Sequence, residues 1–223
     1  LLLVGPAGTK KTDRFFGLLR DPRFRFHSGD SVIVRTAGTT AQAEAFERKA
    51  FLPANSVELF GRLSPLFDRS KCENVVVRKD DCPNVECLRT EDCRLDRGGP
   101  FCFKASKEAH ALLDPAWLGA AAGPRRTNLQ WMFLLRNDAV SPAVEELRPE
   151  DALRILELGE TPGIKKSAAA APKPFFNPAF LAAADDRPEM EKDFFRRLLP
   201  NIRTILFNAG IAGLEKIKET IGA

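Results

Sequence analysis

The chain has 223 residues, 44% of them hydrophobic and 29% charged, which is enough for one sizeable core and excludes a disordered, collagen-like or disulfide-stapled class. Its net charge of +4 is too mild to argue for nucleic acid, and its two histidines, His27 and His110, exclude any mechanism needing several. No apolar run approaches the roughly 18 residues of a membrane helix, and Leu1–Val4 lacks the basic flank of a signal peptide, so a cytoplasmic protein is expected.

Leu1–Val4 reads as a short buried strand, and Thr12–Arg20 as a helix that Pro22 ends. Ser31–Arg35 is a β-branched strand followed by a turn around Gly38, and Ser56–Arg69 mixes helical pattern with loop. Val75–Arg78 predicts another strand. Residues 78–105 are polar and cysteine-bearing, and read as an insertion within the domain. Ser106–Leu113 predicts a helix closed by Asp114-Pro115, and Gly119–Thr127 a small-residue linker. Leu129–Arg136 carries WMFLL, a buried strand. Pro149–Leu158 has proline and acidic residues at its start and Gly159 past its end, the pattern of a helix. Ile164–Pro174 reads as a low-complexity linker, Pro188–Leu199 as an amphipathic helix and Arg203–Phe207 as a strand. Asn208-Ala209-Gly210 is a turn. A final helix is expected with Ile211, Leu214, Ile217 and Ile221 on one face. The fold class is α/β, mixed α+β.

The first strand runs directly into Gly5-Pro6-Ala7-Gly8-Thr9-Lys10-Lys11-Thr12. A phosphate-binding loop of the form G-x-x-x-x-G-K-[ST] cradles phosphate with backbone N–H groups, neutralises it with lysine and ligates Mg²⁺ through a hydroxyl. Gly5, Lys11 and Thr12 fit that pattern, whereas Lys10 stands where glycine belongs and offers a second positive charge. A lysine-bearing turn before a helix gives the same string. Asp30, in Phe26-His27-Ser28-Gly29-Asp30, is the candidate carboxylate for Mg²⁺ or Mn²⁺, or else a turn residue before the next strand. His27 is either a general base or a core-edge histidine.

Cys72, Cys82, Cys87, Cys93 and Cys102 are the only cysteines. Cys82, Cys87, Cys93 and Cys102 could supply four thiolates to Zn²⁺ or an iron–sulfur cluster, although no C-x2-C pair is present. Two disulfides with a free thiol, or reduced cysteines, are the alternatives; Cys72 beside VVVR reads as core. Lys104 and Lys107 read as a solvated rim, Arg125-Arg126 and Arg196-Arg197 as exposed faces, and Trp117 and Trp131 as core. Phe175–Pro178 could close over a nucleotide.

Five segments in order resemble the HPr kinase / phosphoenolpyruvate carboxykinase P-loop superfamily, nearest to the ATP-type carboxykinases. GPAGTKKT is similar to G-x-S-G-T-G-K-T, matching at Gly5, Gly8, Thr9, Lys11 and Thr12, with Lys10 in place of a glycine. HSGD resembles the segment with paired aspartates, of which Asp30 remains and Gly29 takes the other place. SKCENVVVR resembles L-E-N-V-V, with Glu73 and Asn74 in it. MFLLRNDAVSPAVEELRPEDALRIL resembles F-L-T-x-D-A-x-G-V-L-P-P-V-x-x-L-T-P-E-Q-A, matching at Asp138, Ala139, Pro142, Val144, Leu147, Pro149, Glu150 and Ala152. ILFNAGIAG is similar to W-L-V-N-T-G-W-x-G. The resemblance implies a carboxykinase-like nucleotide-binding domain over residues 1–223, the C-terminal portion of a longer protein. It implies ATP or GTP with Mg²⁺, Lys11 and Asp30 in catalysis, and a small-molecule or protein phosphoryl acceptor. The arginine of the family's E-N-T-R segment has no clear counterpart; Arg94 and Arg97 stand nearest. The alternatives are a non-catalytic nucleotide sensor with a degenerate loop and a metal-stabilised interaction module.

Overall fold

The computed structural model describes residues 1–6, 8–53, 72–73, 75–82, 93–99, 101–102, 109–139, 141–158 and 187–223. Its strands are β1 (Leu2–Val4), β2 (Val32–Ala37), β3 (Thr40–Ala45), β4 (Ala50–Pro53), β5 (Cys72–Glu73), β6 (His110–Leu113), β7 (Arg126–Asn128), β8 (Trp131–Arg136), β9 (Val144–Leu147) and β10 (Arg203–Asn208). Its α-helices are α1 (Lys11–Leu19), α2 (Pro149–Leu158), α3 (Arg187–Leu198) and α4 (Leu214–Ile221). The class is mixed α/β. The chain divides into two units, one made of Leu1–Arg23, Ile33–Glu44 and Pro124–Ala223, the other of Phe24–Val32 and Ala45–Gly123. Among the described residues no helix is long and apolar enough to cross a membrane.

The first unit is built on a sheet of order β1-β8-β10-β9. β1, β8 and β10 run parallel, with Val4 beside Leu134 and Leu206 on the other side of it; β9 pairs antiparallel with β10. A parallel strand covered on both faces is apolar throughout rather than alternating. β8 follows that rule: Met132, Phe133, Leu134 and Leu135 are each at most 2% exposed. Each contributes about 2 kcal/mol through burial. α2 adds Ala152, Ile155 and Leu156, spaced for one helical face, and α3 adds Phe195 and Leu198. Phe207 meets Phe133 edge-on, with ring centroids 6.0 Å apart. At the N-terminal end of β10, the Arg203 guanidinium lies 4.3 Å from the centre of the Trp131 ring and takes Glu146 of β9 by two hydrogen bonds. A second sheet of this unit, β2-β3-β7, turns through Gly38 and pairs Gln42 with Asn128 and Glu44 with Arg126.

The second unit holds the antiparallel sheet β4-β6-β5, over a core that includes Leu52, Phe101, Ala111 and Leu113. Lone bridges tie Phe26 to Ala122 and Val76 to Cys102.

Several expectations need correction. His110–Leu113 is a strand, not the end of a helix. Its residues favour helix locally, but pairing with Ala50–Pro53 buries Ala111 and Leu113 on one face. Among the described residues Val75–Arg78 makes one bridge, at Val76, and Arg78 then leads into the turn Lys79–Asp81. The expected linker Gly119–Thr127 ends in β7. β3, β4 and β9 carry little apolar pattern (TAQAEA, AFLP, VEEL) and escape a reading by periodicity. Ile211 precedes α4 and is 59% exposed, so the buried face of that helix centres on Ile217. Ser56–Arg69, Ile164–Pro174, Phe175–Pro178, Lys104, Lys107, Cys87 and the side chains of Cys72 and Trp117 lie outside the described residues.

Candidate functional site

Because β1, β8 and β10 are parallel neighbours, their C-terminal ends lie at one edge of the sheet, the edge where open α/β sheets place ligands. Three segments leave there: the loop from Gly5 into α1, Asn137-Asp138, and Ala209-Gly210. The sequence brings Gly5, Gly8, Thr9, Lys10, Lys11 and Thr12 together in the first of them.

The loop is held from inside and from its neighbours. Thr9, 5% exposed, donates its hydroxyl to Pro6 O at 2.8 Å, and Lys11 Nζ donates to Gly5 O at 2.7 Å. Asn137 Nδ2, just past β8, donates to Gly8 O at 3.1 Å. Gly5 is required by close packing, since a Cβ there would stand 2.8 Å from Thr9 Oγ1 and 3.1 Å from Leu135 O.

Lys10 is the N-cap of α1, at φ 56° and ψ 27°, and is the only non-glycine residue with positive φ among the described residues. This left-handed conformation costs an L-residue about 1–2 kcal/mol, and it falls where the loop pattern has glycine. Lys10 makes no side-chain cap, so the first-turn amides of α1 receive no acceptor from it.

The third segment is locked to the other two. Asn208 is fully buried; its Nδ2 donates to Asp138 O at 2.8 Å and Ser141 O at 2.9 Å, and its Oδ1 accepts Gly210 N–H at 3.0 Å. Arg14, one turn into α1, donates through Nη2 to Ala209 O and Ala212 O, both at 3.0 Å. A Cβ at Gly210 would lie 2.7 Å from Asn137 Oδ1 and 3.1 Å from Asn208 Oδ1, so a side chain there displaces the asparagines. Asp138 accepts the Ser141 N–H at 2.6 Å and its hydroxyl at 2.9 Å. Arg136 ends β8 half-buried; burial lowers its pKa, opposed by the charge of Asp138.

The other expected site residues described are in the second unit. Asp30 belongs to the second unit, and its backbone N–H donates to Glu47 Oε2 at 2.6 Å. A Cβ on Gly29 would meet that same oxygen at 2.6 Å and Lys49 O at 3.0 Å, so a side chain there requires both to give way. Both ring nitrogens of His27 are shielded and meet no hydrogen-bond partner among the described residues. Cys82 is half-buried, Cys93 and Cys102 are buried, and none of the three is in a disulfide. Among the described residues no three His, Cys, Asp or Glu side chains group as metal ligands. Arg94 stacks over Phe101, its guanidinium carbon 5.8 Å from the ring centre.

Sequence reasoning passed over Arg14, Asn137 and Asn208 as site residues. One signal marked the two asparagines: each follows an apolar run, WMFLLR and RTILF, at the end of a strand. Compared with known families and curated proteins, the chain matches no family model and no curated protein.

Proposed function

We propose that the loop between β1 and α1 binds the phosphates of ATP or GTP with Mg²⁺, in a protein resembling the carboxykinase P-loop superfamily that transfers a phosphoryl group to a small-molecule or protein acceptor. One observation carries this reading: a strand, a tight loop and a helix sit at the C-terminal edge of parallel strands, with Lys11 folded over the loop onto Gly5 O at 2.7 Å. Lys11 would exchange that carbonyl for phosphate oxygens. The first-turn amides of α1 and the positive end of its dipole would face the same anion. Lys10 would add a second charge at the loop rim.

Thr12, in the first turn of α1, is the residue that would offer a hydroxyl to the metal. The bound metal would neutralise phosphate charge; the chain's own part is to hold and orient the phosphates. In calorimetry, Lys11→Ala is expected to weaken Mg-ATP binding about 100-fold, the loss of two or so charge-assisted hydrogen bonds. Unchanged affinity in that variant would refute the proposal. The strained backbone at Lys10 favours one second reading, a nucleotide binder without turnover. Binding without phosphoryl transfer to any acceptor or to water would select it.

A further inference from the structure

Positive charge is concentrated at another place in the first unit. Glu44 lies on β3, the middle strand of β2-β3-β7, and is 7% exposed. Arg126 stands directly opposite it on β7, Arg35 comes from β2, and Arg125 precedes β7. Arg126 Nε and Arg35 Nη2 reach Glu44 Oε2 at 3.3 and 3.5 Å, and Arg125 Nε reaches Oε1 at 3.3 Å. Among the described residues Glu44 is the carboxylate that each of the three meets.

Other arginines of this unit behave differently. Arg23 takes Asp21 by two bonds of 2.9 and 2.6 Å, and Arg203 takes Glu146 by two of 2.8 and 2.7 Å. Both pairs use both arms of the guanidinium, and Asp21 also takes Lys218 at 3.1 Å. At Glu44 three guanidiniums share one carboxylate through single, longer contacts, and their side chains are 64–74% exposed. Three positive charges around one negative charge leave an excess of two. A carboxylate that served only to join strands would need one partner, and each further guanidinium brings like-charge repulsion. Burial raises the Glu44 pKa, but Arg126, with Arg35 and Arg125, outweighs it, so the carboxylate stays ionised as a fixed anchor.

We infer that Arg35, Arg125 and Arg126, organised around Glu44, form a binding site for a phosphate dianion, separate from the loop after β1. The charge matches: a dianion cancels the excess, whereas a monocarboxylate leaves half of it. The geometry matches too, since unused guanidinium arms suit the oxygens of phosphate. The place is distinct. β7 runs through Leu129-Gln130 into the N-terminal end of β8, and the loop after β1 meets its C-terminal end at Asn137. The phosphate could be free or carried on a protein side chain.

The test uses the full chain with Lys11→Ala, so that the loop contributes nothing, and calorimetry with inorganic phosphate. Phosphate should bind this variant, and adding R35Q and R126Q should weaken binding about tenfold or more. No binding to the Lys11→Ala protein, or equal binding after the two arginine changes, overturns the inference. If the combined variant melts early, R125Q on the same background decides: weaker phosphate binding supports the site, and unchanged binding overturns it. A phosphoserine peptide, set against its unphosphorylated twin, identifies the source. Binding tighter than phosphate marks a protein-borne group, and binding no tighter marks a free one. The outcome does not depend on whether the loop binds nucleotide.

Discussion

The loop after β1 and the described cysteines of the second unit both carry candidate ligands, yet only the first converges with other segments among the described residues. Its backbone starts from a strand in parallel register with β8, which is itself in register with β10. Three chain segments are therefore delivered to one edge, and Arg14, Asn137 and Asn208 stitch them together. Among the described residues Cys82, Cys93 and Cys102 have no such frame. Cys102 is tied to Val76 by a lone bridge, Cys93 starts a local turn, and Cys82 closes another at Lys79. Side chains converge where sheet register carries their backbone, and spacing along the chain does not substitute for it.

The strongest way to break this contrast is to remove a stitch. Asn208→Ala strands the carbonyls of Asp138, part-buried, and of Ser141, buried, and should cost about 3 kcal/mol of unfolding free energy in denaturant titration. A loss below about 1 kcal/mol would mean that the strand ends hold without it. Next, Lys10→Gly relieves the left-handed backbone at the N-cap of α1. It should raise stability by about 1 kcal/mol, the strain relieved less the extra chain entropy of glycine. A destabilised variant would show that the Lys10 side chain contributes more than its backbone costs.

On the other side of the comparison, thiol alkylation followed by mass spectrometry should modify Cys82 about tenfold faster than Cys93 and Cys102, which are each 6% exposed. Equal rates would place the three in one common environment. The smallest effect concerns Asp21, whose carboxyl is held well below the usual range by Arg23, with Lys218 adding to it. A depressed folded pKa gives stability above the unfolded value, lost as pH falls through the acid range. Asp21→Asn should therefore flatten the acid limb of a stability–pH profile and leave its alkaline limb unchanged.

Much of this was legible where one physical rule dominates. WMFLL and RTILF announce buried strands because nothing else accommodates such runs, and Pro149 with Glu150 and Asp151 announces a helix start. The loop residues were legible through glycine and lysine spacing, and the misfit at Lys10 was visible before its φ was known. The rest depends on partners distant in sequence. VEEL is a strand only because β10 offers it an edge, and HALL only because Ala50–Pro53 pairs with it. Asn137 and Asn208 look like turn residues until the register of β8 and β10 sets them beside one loop.

The most direct measurement of the central claim is a map of backbone amide shifts during titration of the full chain with Mg-ATP. The account predicts the largest changes at Gly8, Thr9, Lys10, Lys11 and Thr12, with a smaller one at Asn137, and all of them lost in Lys11→Ala. Shifts centred elsewhere in the chain, or none at millimolar Mg-ATP, would contradict it.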